Sequence, residues 1–296
     1  MEHGGTTQAG PATVDEISEG LIELSQAGFA RFARYITGEL GIKMPDSKLA
    51  LVQSRLMGRV RELRMRSLDE YEAYFFASAH ASEREHVINA ITTNKTDFFR
   101  EAGHFDYLSD SAVPALLRDE RRAGSRLKLW SAGCSSGEEP YSIAMVLAEY
   151  AAGHSGFDFA ILGTDISTKV LDHARQGVYK ESLIGPIPRA MRNKYLLASR
   201  TGREPVVRVV PALRRKISFH QLNFMSADYR IKDMFDVVFF RNVLIYFDLS
   251  TQEAVVRKIC RNLIPGGYLF ASHSESLSPL DVPLRALRTS IYQRLG

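Results

Sequence analysis

Trp130-Ser131-Ala132-Gly133-Cys134-Ser135-Ser136-Gly137-Glu138-Glu139 is small and polar where a strand must turn into a helix. Small residues at such a turn let a ligand approach the backbone, and free N–H groups at the helix start favour a polar or anionic group. Asp165 ends the next strand-like run, where an acid holds ribose hydroxyls in nucleoside-binding βαβ units. The loop has no Gly-Lys-Ser/Thr, which disfavours a nucleoside triphosphate. Glu138 would repel a phosphate unless a metal intervened. A cationic ligand such as a sulfonium nucleoside fits better. The same residues also allow a reading without a ligand, a tight turn with Asp165 capping the next helix.

Two further groups stand out. Thr92-Thr93-Asn94-Lys95-Thr96-Asp97-Phe98-Phe99-Arg100-Glu101 sets polar residues against an aromatic pair and an arginine. On capping statistics alone it predicts a helix start capped by Asn94 or Thr96, with Phe98 and Phe99 in the core. Phe235 to Phe240 reads as a buried strand that releases Arg241 and Asn242 at its carboxyl end, with Tyr246 just beyond; ligands bind at that edge of parallel sheets. His104, His173, His220 and His273 lack metal-ligand spacing, and Cys134 and Cys260 are far apart, so no metal is expected. No G-x-S-x-G elbow occurs, which weighs against a hydrolase.

The elements that must position these residues follow from periodicity. With 45% hydrophobic and 24% charged residues the 296-residue chain has ordinary globular composition. It lacks any run of 18 apolar residues, and Glu2, Asp15, Glu16 and Glu19 without Lys or Arg in the first 20 residues exclude a secretory signal. A cytoplasmic location without membrane insertion is expected. Residues 1–14 read as a loose tail, 15–82 as a helical N-terminal domain and 83–125 as a partly helical linker. From 126 to 296 strands alternate with helices, which indicates an α/β domain with a parallel sheet. Pro186, Pro188, Gly202 and Pro205 around Val206–Val210 break the rhythm, so a small antiparallel β-subdomain is expected as an insert over about 177–215. A helix is expected from about Thr251 to Leu263, ending before Pro265-Gly266-Gly267, and a strand from Tyr268 to Ser272.

Net charge is +4, but Lys43 to Arg66 holds seven basic against two acidic residues. On a helical wheel Leu49, Val52, Leu56, Val60 and Leu63 form an apolar stripe, flanked by a ridge of Lys48, Arg55, Arg59 and Arg66. The ridge is expected to face solvent or a partner.

The strings TTNKTDFFRE, LWSAGCSSGEEPYSIAM, GTDIS and FFRNVLIYFD, in this order, resemble those of the chemotaxis receptor methyltransferases, the CheR family of S-adenosylmethionine-dependent protein-glutamate O-methyltransferases. The resemblance runs from about residue 25 to the C-terminus. It implies a small helical domain, a Rossmann-like methyltransferase domain and an inserted β-subdomain. It further implies that Asn94, Thr96 and Arg100 line the cofactor pocket, with Gly133 and Glu138 in the loop, Asp165 on the ribose, and Asn223 and Phe224 beside the adenine. Phe224 stands where the family has Leu. Of Glu138 and Glu139, the former is nearer the turn and is the expected contact. Arg241 and Asn242 would close the pocket, and Arg100 and Tyr246 would lie nearest the chemistry. Arg55, Arg59 and Arg66 would dock on the cytoplasmic helices of methyl-accepting chemoreceptors, and in some relatives the β-subdomain anchors a receptor tail peptide. The expected product is a glutamate methyl ester with S-adenosylhomocysteine.

A nucleic-acid methyltransferase would share the Rossmann-like core and basic helix. The strand end reads Arg-Asn-Val-Leu, not Asn/Asp-Pro-Pro-Tyr, and no aromatic-rich basic patch accompanies it, so no nucleic-acid partner is expected. A non-catalytic binding module is the third reading, opposed by the intact set Asn94, Thr96, Arg100, Asp165 and Tyr246.

Overall fold

The computed structural model describes residues 23–78, 81–119, 126–199 and 204–296, and the tail expected over 1–14 lies outside them. Contacts divide the chain into two units, one of residues up to Tyr35 with Met44–Ile91, the other of Ile36–Lys43 with Thr92–Gly296. The stretch read as a linker is thus shared between them.

The first unit is helical. It takes most of α1 (Gln26–Leu40), with α2 (Leu49–Glu62), α3 (Leu68–Ser78) and α4 (Ala81–Ile91). Phe29 and Phe32 of α1 and Val52, Leu56 and Val60 of α2 are fully buried, as the apolar spacing requires. Phe32 packs on Phe75 with ring centroids 5.4 Å apart. The basic flank of α2 is not simply a solvent face. Arg55 Nη1 donates to the carbonyls of Ala90 and Ile91 at 3.1 and 2.9 Å, the unpaired C-terminal carbonyls of α4. Arg59 grips Glu83 through Nε and Nη2 at 3.0 and 2.8 Å, and the Tyr71 hydroxyl donates to the same carboxylate at 2.7 Å. Arg59 holds the Glu83 carboxyl below the usual range. Arg61, Arg64 and Arg66 are exposed.

In the second unit α5 (Gly103–Tyr107), a π turn (Leu108–Ala112) and α6 (Val113–Leu117) precede β1 (Leu127–Ala132). Then follow α7 (Glu138–Gly153), β2 (Phe159–Asp165), α8 (Thr168–Gln176), β3 (Val178–Lys180), α9 (Arg189–Tyr195), β4 (Leu196–Ser199), β5 (Val206–Val209), α10 (Pro211–Arg214) and β6 (Ile217–Gln221). β7 (Phe235–Phe239), α11 (Leu249–Arg261), β8 (Leu263–Phe270), β9 (Leu284–Arg288) and β10 (Ile291–Arg294) complete it. Among the described residues the main sheet has the order β6-β2-β1-β7-β8-β10-β9. Its first five strands are parallel, and β10 and β9 are antiparallel. Every residue of β7 is buried, the mark of a strand covered on both faces. β3, β5 and β4 form the separate antiparallel sheet of the insert.

Two expectations near the C-terminus need correction. α11 begins two residues early because Asp248 caps it, its carboxylate accepting from Thr251 N at 2.8 Å. Pro265-Gly266-Gly267 does not separate a helix from a strand: β8 runs through it, with the ladder to β7 shifting register and Gly266 at φ +78°. A positive-φ glycine lets a strand absorb such an irregularity.

Candidate active site

Ser131 of β1 sits beside Gly163 of β2 and Phe239 of β7, so these parallel strands end at one carboxyl edge. The glycine loop crosses there. Gly133 N and Cys134 N both donate to Thr164 O at 2.8 Å, which stitches the loop to β2. Gly133 has φ +82°, and a Cβ there would lie 2.5 Å from Val243 Cγ2, so only glycine suits the position. Tyr179 of the insert supports the loop, its hydroxyl donating to Ser136 O at 2.8 Å. Asp165 does not cap the following helix; Ser167 does, accepting from Val170 N. The Asp165 carboxylate instead accepts from Ser135 N at 2.9 Å and Ser167 N at 3.0 Å, and burial, opposed by these N–H groups, pushes its pKa up.

The two glutamates at the start of α7 differ in their partners. Glu139 accepts from Ser131 Oγ at 2.7 Å and pairs with Arg241 Nη1 at 3.2 Å. Glu138 is 5% exposed and accepts from Ser136 Oγ at 2.7 Å. Among the described residues it has no ion pair, and its charged neighbour is Asp97, an acid. Burial raises its pKa, and Asp97 adds to the rise. A buried carboxylate without a protein cation is costly unless a ligand supplies the charge.

Thr92 to Arg100 does not start a helix, contrary to the capping reading. It is irregular, with Phe99 and Glu101 at φ 52° and 57°. Its backbone groups are met by α7 and the loop instead: Phe99 N donates to Ser142 Oγ at 2.9 Å and Ser135 Oγ to Asn94 O at 2.9 Å. Phe98 is buried against Tyr179. Asn94 and Thr96 are thereby carried on the segment bonded to the glycine loop. Arg100 is half-buried, and among the described residues its guanidinium donates a long 3.4 Å bond to Lys95 O, so it keeps donors for another group. Tyr246, half-buried in the turn after β7, accepts from Lys43 N through its carbonyl at 2.9 Å.

The remaining predicted residues face inward. Arg241 is 2% exposed at its side chain, pairs with Glu139 and Glu101 at 3.2 Å each, and donates to Arg100 O. Its guanidinium holds the Arg100 backbone. Asn242, at φ 59°, donates to Ser272 Oγ at 2.8 Å. Asn223 donates to Glu39 O at 2.8 Å and accepts from Met225 N at 2.9 Å, which leaves Phe224 buried beside Phe240, ring centroids 5.1 Å apart. Arg55, Arg59 and Arg66 belong to the other unit. Sequence reasoning missed Glu139, Glu101 and Ser142 as organisers of this edge, and it missed that the fold brings His104 and His273 together, ring centroids 4.9 Å apart.

A parallel sheet with a glycine loop and a terminal acid at its carboxyl edge defines a nucleoside-binding α/β domain. Glu138, buried there without an ion pair among the described residues, disfavours a phosphate at the loop. Residues 94–292 match the family described as CheR methyltransferase, SAM binding domain, and residues 27–92 the CheR methyltransferase, all-alpha domain. The chain is 37% identical over 260 residues to the chemotaxis protein methyltransferase of Escherichia coli, covering 88% of both chains. It is 39% identical over 252 residues to chemotaxis protein methyltransferase 2 of Pseudomonas aeruginosa, covering 85% of this chain and 87% of that one. The chain belongs to the CheR methyltransferase family, and S-adenosylmethionine is its cofactor. None of the described helices is long and apolar enough to cross a membrane.

Proposed function

We propose that this chain methylates specific glutamate side chains on the cytoplasmic helices of chemoreceptors, giving glutamate 5-O-methyl esters and S-adenosylhomocysteine. The observation that carries the reading is Glu138, a buried acid beside the glycine loop without an ion pair among the described residues. Bound S-adenosylmethionine supplies an electrophilic methyl group on a positively charged sulfonium. Glu138 and Asp165 hold the cationic amino acid and ribose ends, Gly133 gives close approach, and Phe224 with Asn223 flanks the adenine. Asn94 and Thr96 line the pocket from the segment bonded to the loop, and Asn242 and Arg241 close it from behind. A glutamate carboxylate is ionised at neutral pH, so no general base is required. Arg100 orients the incoming carboxylate, and the Tyr246 hydroxyl aligns it. Docking on acidic receptor helices falls to the exposed Arg66 with Arg61 and Arg64 rather than to Arg55 and Arg59, whose side chains are engaged within their own unit. A receptor tail peptide would add to β4, an edge strand of the described small sheet that exposes Leu197.

The test is transfer of labelled methyl from S-adenosylmethionine to a receptor cytoplasmic fragment, followed by mild alkali. Label released as methanol, and lost when the receptor glutamates are replaced, is the expected result; alkali-stable label would sink the glutamate assignment. Glu138→Gln is expected to weaken S-adenosylmethionine binding about tenfold in calorimetry, the size of one charge-assisted contact. Because burial raises the Glu138 pKa, affinity should begin to fall at a higher pH than for an ordinary carboxylate, and the Gln variant should lose part of that dependence. Unchanged affinity would remove Glu138 from the pocket.

A further inference from the structure

His104 is 1% exposed and packs edge-on against Phe270 and His273. Ser290 Oγ donates to Thr289 O at 2.6 Å, so its hydrogen is committed and the 2.8 Å contact with His104 Nε2 must be donated by the ring. His104 is therefore the Nε2–H tautomer, and its Nδ1 is a bare lone pair. That lone pair faces Glu101 Oε2 at 3.4 Å, a second acceptor. Neither atom has a hydrogen-bond partner among the described residues. The other oxygen of Glu101 is satisfied by Ser272 Oγ at 2.7 Å, which orients Oε2 toward the ring.

Arg241 Nη2 pairs with Glu101 Oε2 at 3.2 Å, but the lone pair of His104 Nδ1 faces that carboxylate with no donor among the described residues to satisfy it. A water donating to both atoms at about 2.8 Å would have to do so across too acute an angle. A tetrahedral ion with bonds of about 2.0–2.1 Å has ligand-to-ligand edges of about 3.3–3.4 Å, which is the observed separation. The third donor is at hand: a ring nitrogen of His273 lies within 4.8 Å of a carboxylate oxygen of Glu101 and a ring nitrogen of His104. His273 is exposed and lines a cavity of about 370 Å³ with Glu275, Arg288 and Ser290, which gives an ion a path to the site.

We propose that Glu101 Oε2, His104 Nδ1 and His273 bind one divalent late first-row transition metal ion, Zn²⁺ by donor type, with a fourth position open toward the cavity. Arg241 Nη2, 3.2 Å from Glu101 Oε2, and Arg288 oppose the added charge, so the affinity is moderate rather than that of a closed structural site. The test reads metal binding rather than methyl transfer and needs no receptor. The full chain, stripped with chelator, is titrated with Co²⁺ and followed by the visible absorption of four-coordinate cobalt. One equivalent should bind, and Zn²⁺ should displace it. His273→Ala and Glu101→Gln should each weaken Co²⁺ binding at least tenfold. His173→Ala, an exposed histidine on α8, should not change it. His273 is at the surface, so its loss tests the site without endangering the buried core as His104→Ala would. Absence of a saturable one-to-one band, or a band that His273→Ala leaves intact, would overturn the proposal.

Discussion

Arg100→Ala is expected to lower kcat for receptor methylation by about two to three powers of ten. A charge-assisted contact to a desolvated carboxylate is worth about 2–5 kcal/mol when truncated, and at this guanidinium that contact exists only when the substrate is present. Within the structure the side chain donates one long 3.4 Å bond, so little folding energy is lost with it and thermal stability should be nearly unchanged. Arg61→Ala with Arg64→Ala supplies the contrast. These exposed arginines of the other unit should raise KM for the receptor and steepen its salt sensitivity, while kcat at saturating receptor stays near wild type. Steady-state kinetics on one receptor fragment separates the two patterns. A loss in KM alone for Arg100→Ala would make it a docking residue and remove it from the chemistry.

The division between what was legible in the sequence and what was not follows chain distance. The glycine loop, the place of Asp165 at the end of β2 and the strand running up to Arg241 were readable because each depends on local order: a strand, a tight turn, the start of a helix. The apolar stripe of α2 was readable for the same reason, since Val52, Leu56 and Val60 recur on one helical face. The partners that decide what a polar side chain does lie far off. Arg241 meets Glu139 across 102 positions, Asn223 meets Glu39 across 184 and His104 meets Ser290 across 186. No periodicity links such pairs, so the two glutamates that Arg241 holds could not be read from its place after β7. The partners within the basic ridge were hidden similarly, because a wheel shows which residues share a flank but not that α4 ends against Arg55 and offers Glu83 to Arg59. Pro265-Gly266-Gly267 misled for a third reason: turn-forming residues inside a strand mark an irregular ladder as readily as a break.

Arg241 is where the fold and the site depend on the same charge, and Arg241→Leu should destabilise the chain by about 3–5 kcal/mol, the usual result of removing one partner from a buried ionic cluster. The guanidinium balances two carboxylates that are 14% exposed, and it also holds Arg100 O. In the native chain burial raises the Glu139 pKa against the pull of Arg241, whereas in Glu101 the upward push of burial is outweighed by the Ser272 hydroxyl, Arg241 and the nearby histidines, leaving that carboxyl below its usual range. The native contribution of Glu101 is therefore present above the unfolded carboxylate range and is lost as pH falls from there through its lower folded value. Without Arg241 both acids are left buried and rise, so the variant gains stability on protonation just where the native chain loses it. The gap in urea midpoint between the two proteins should be widest near neutral pH and should narrow toward about pH 4. Adding Glu139→Leu to Arg241→Leu should restore part of the loss at neutral pH, since an apolar pair costs far less than one stranded charge. Transfer should stay impaired in the double variant, because the Arg100 carbonyl still lacks its donor. A gap independent of pH would mean that Arg241 acts by packing alone, and full recovery of transfer in the double variant would separate the ionic cluster from the placement of Arg100.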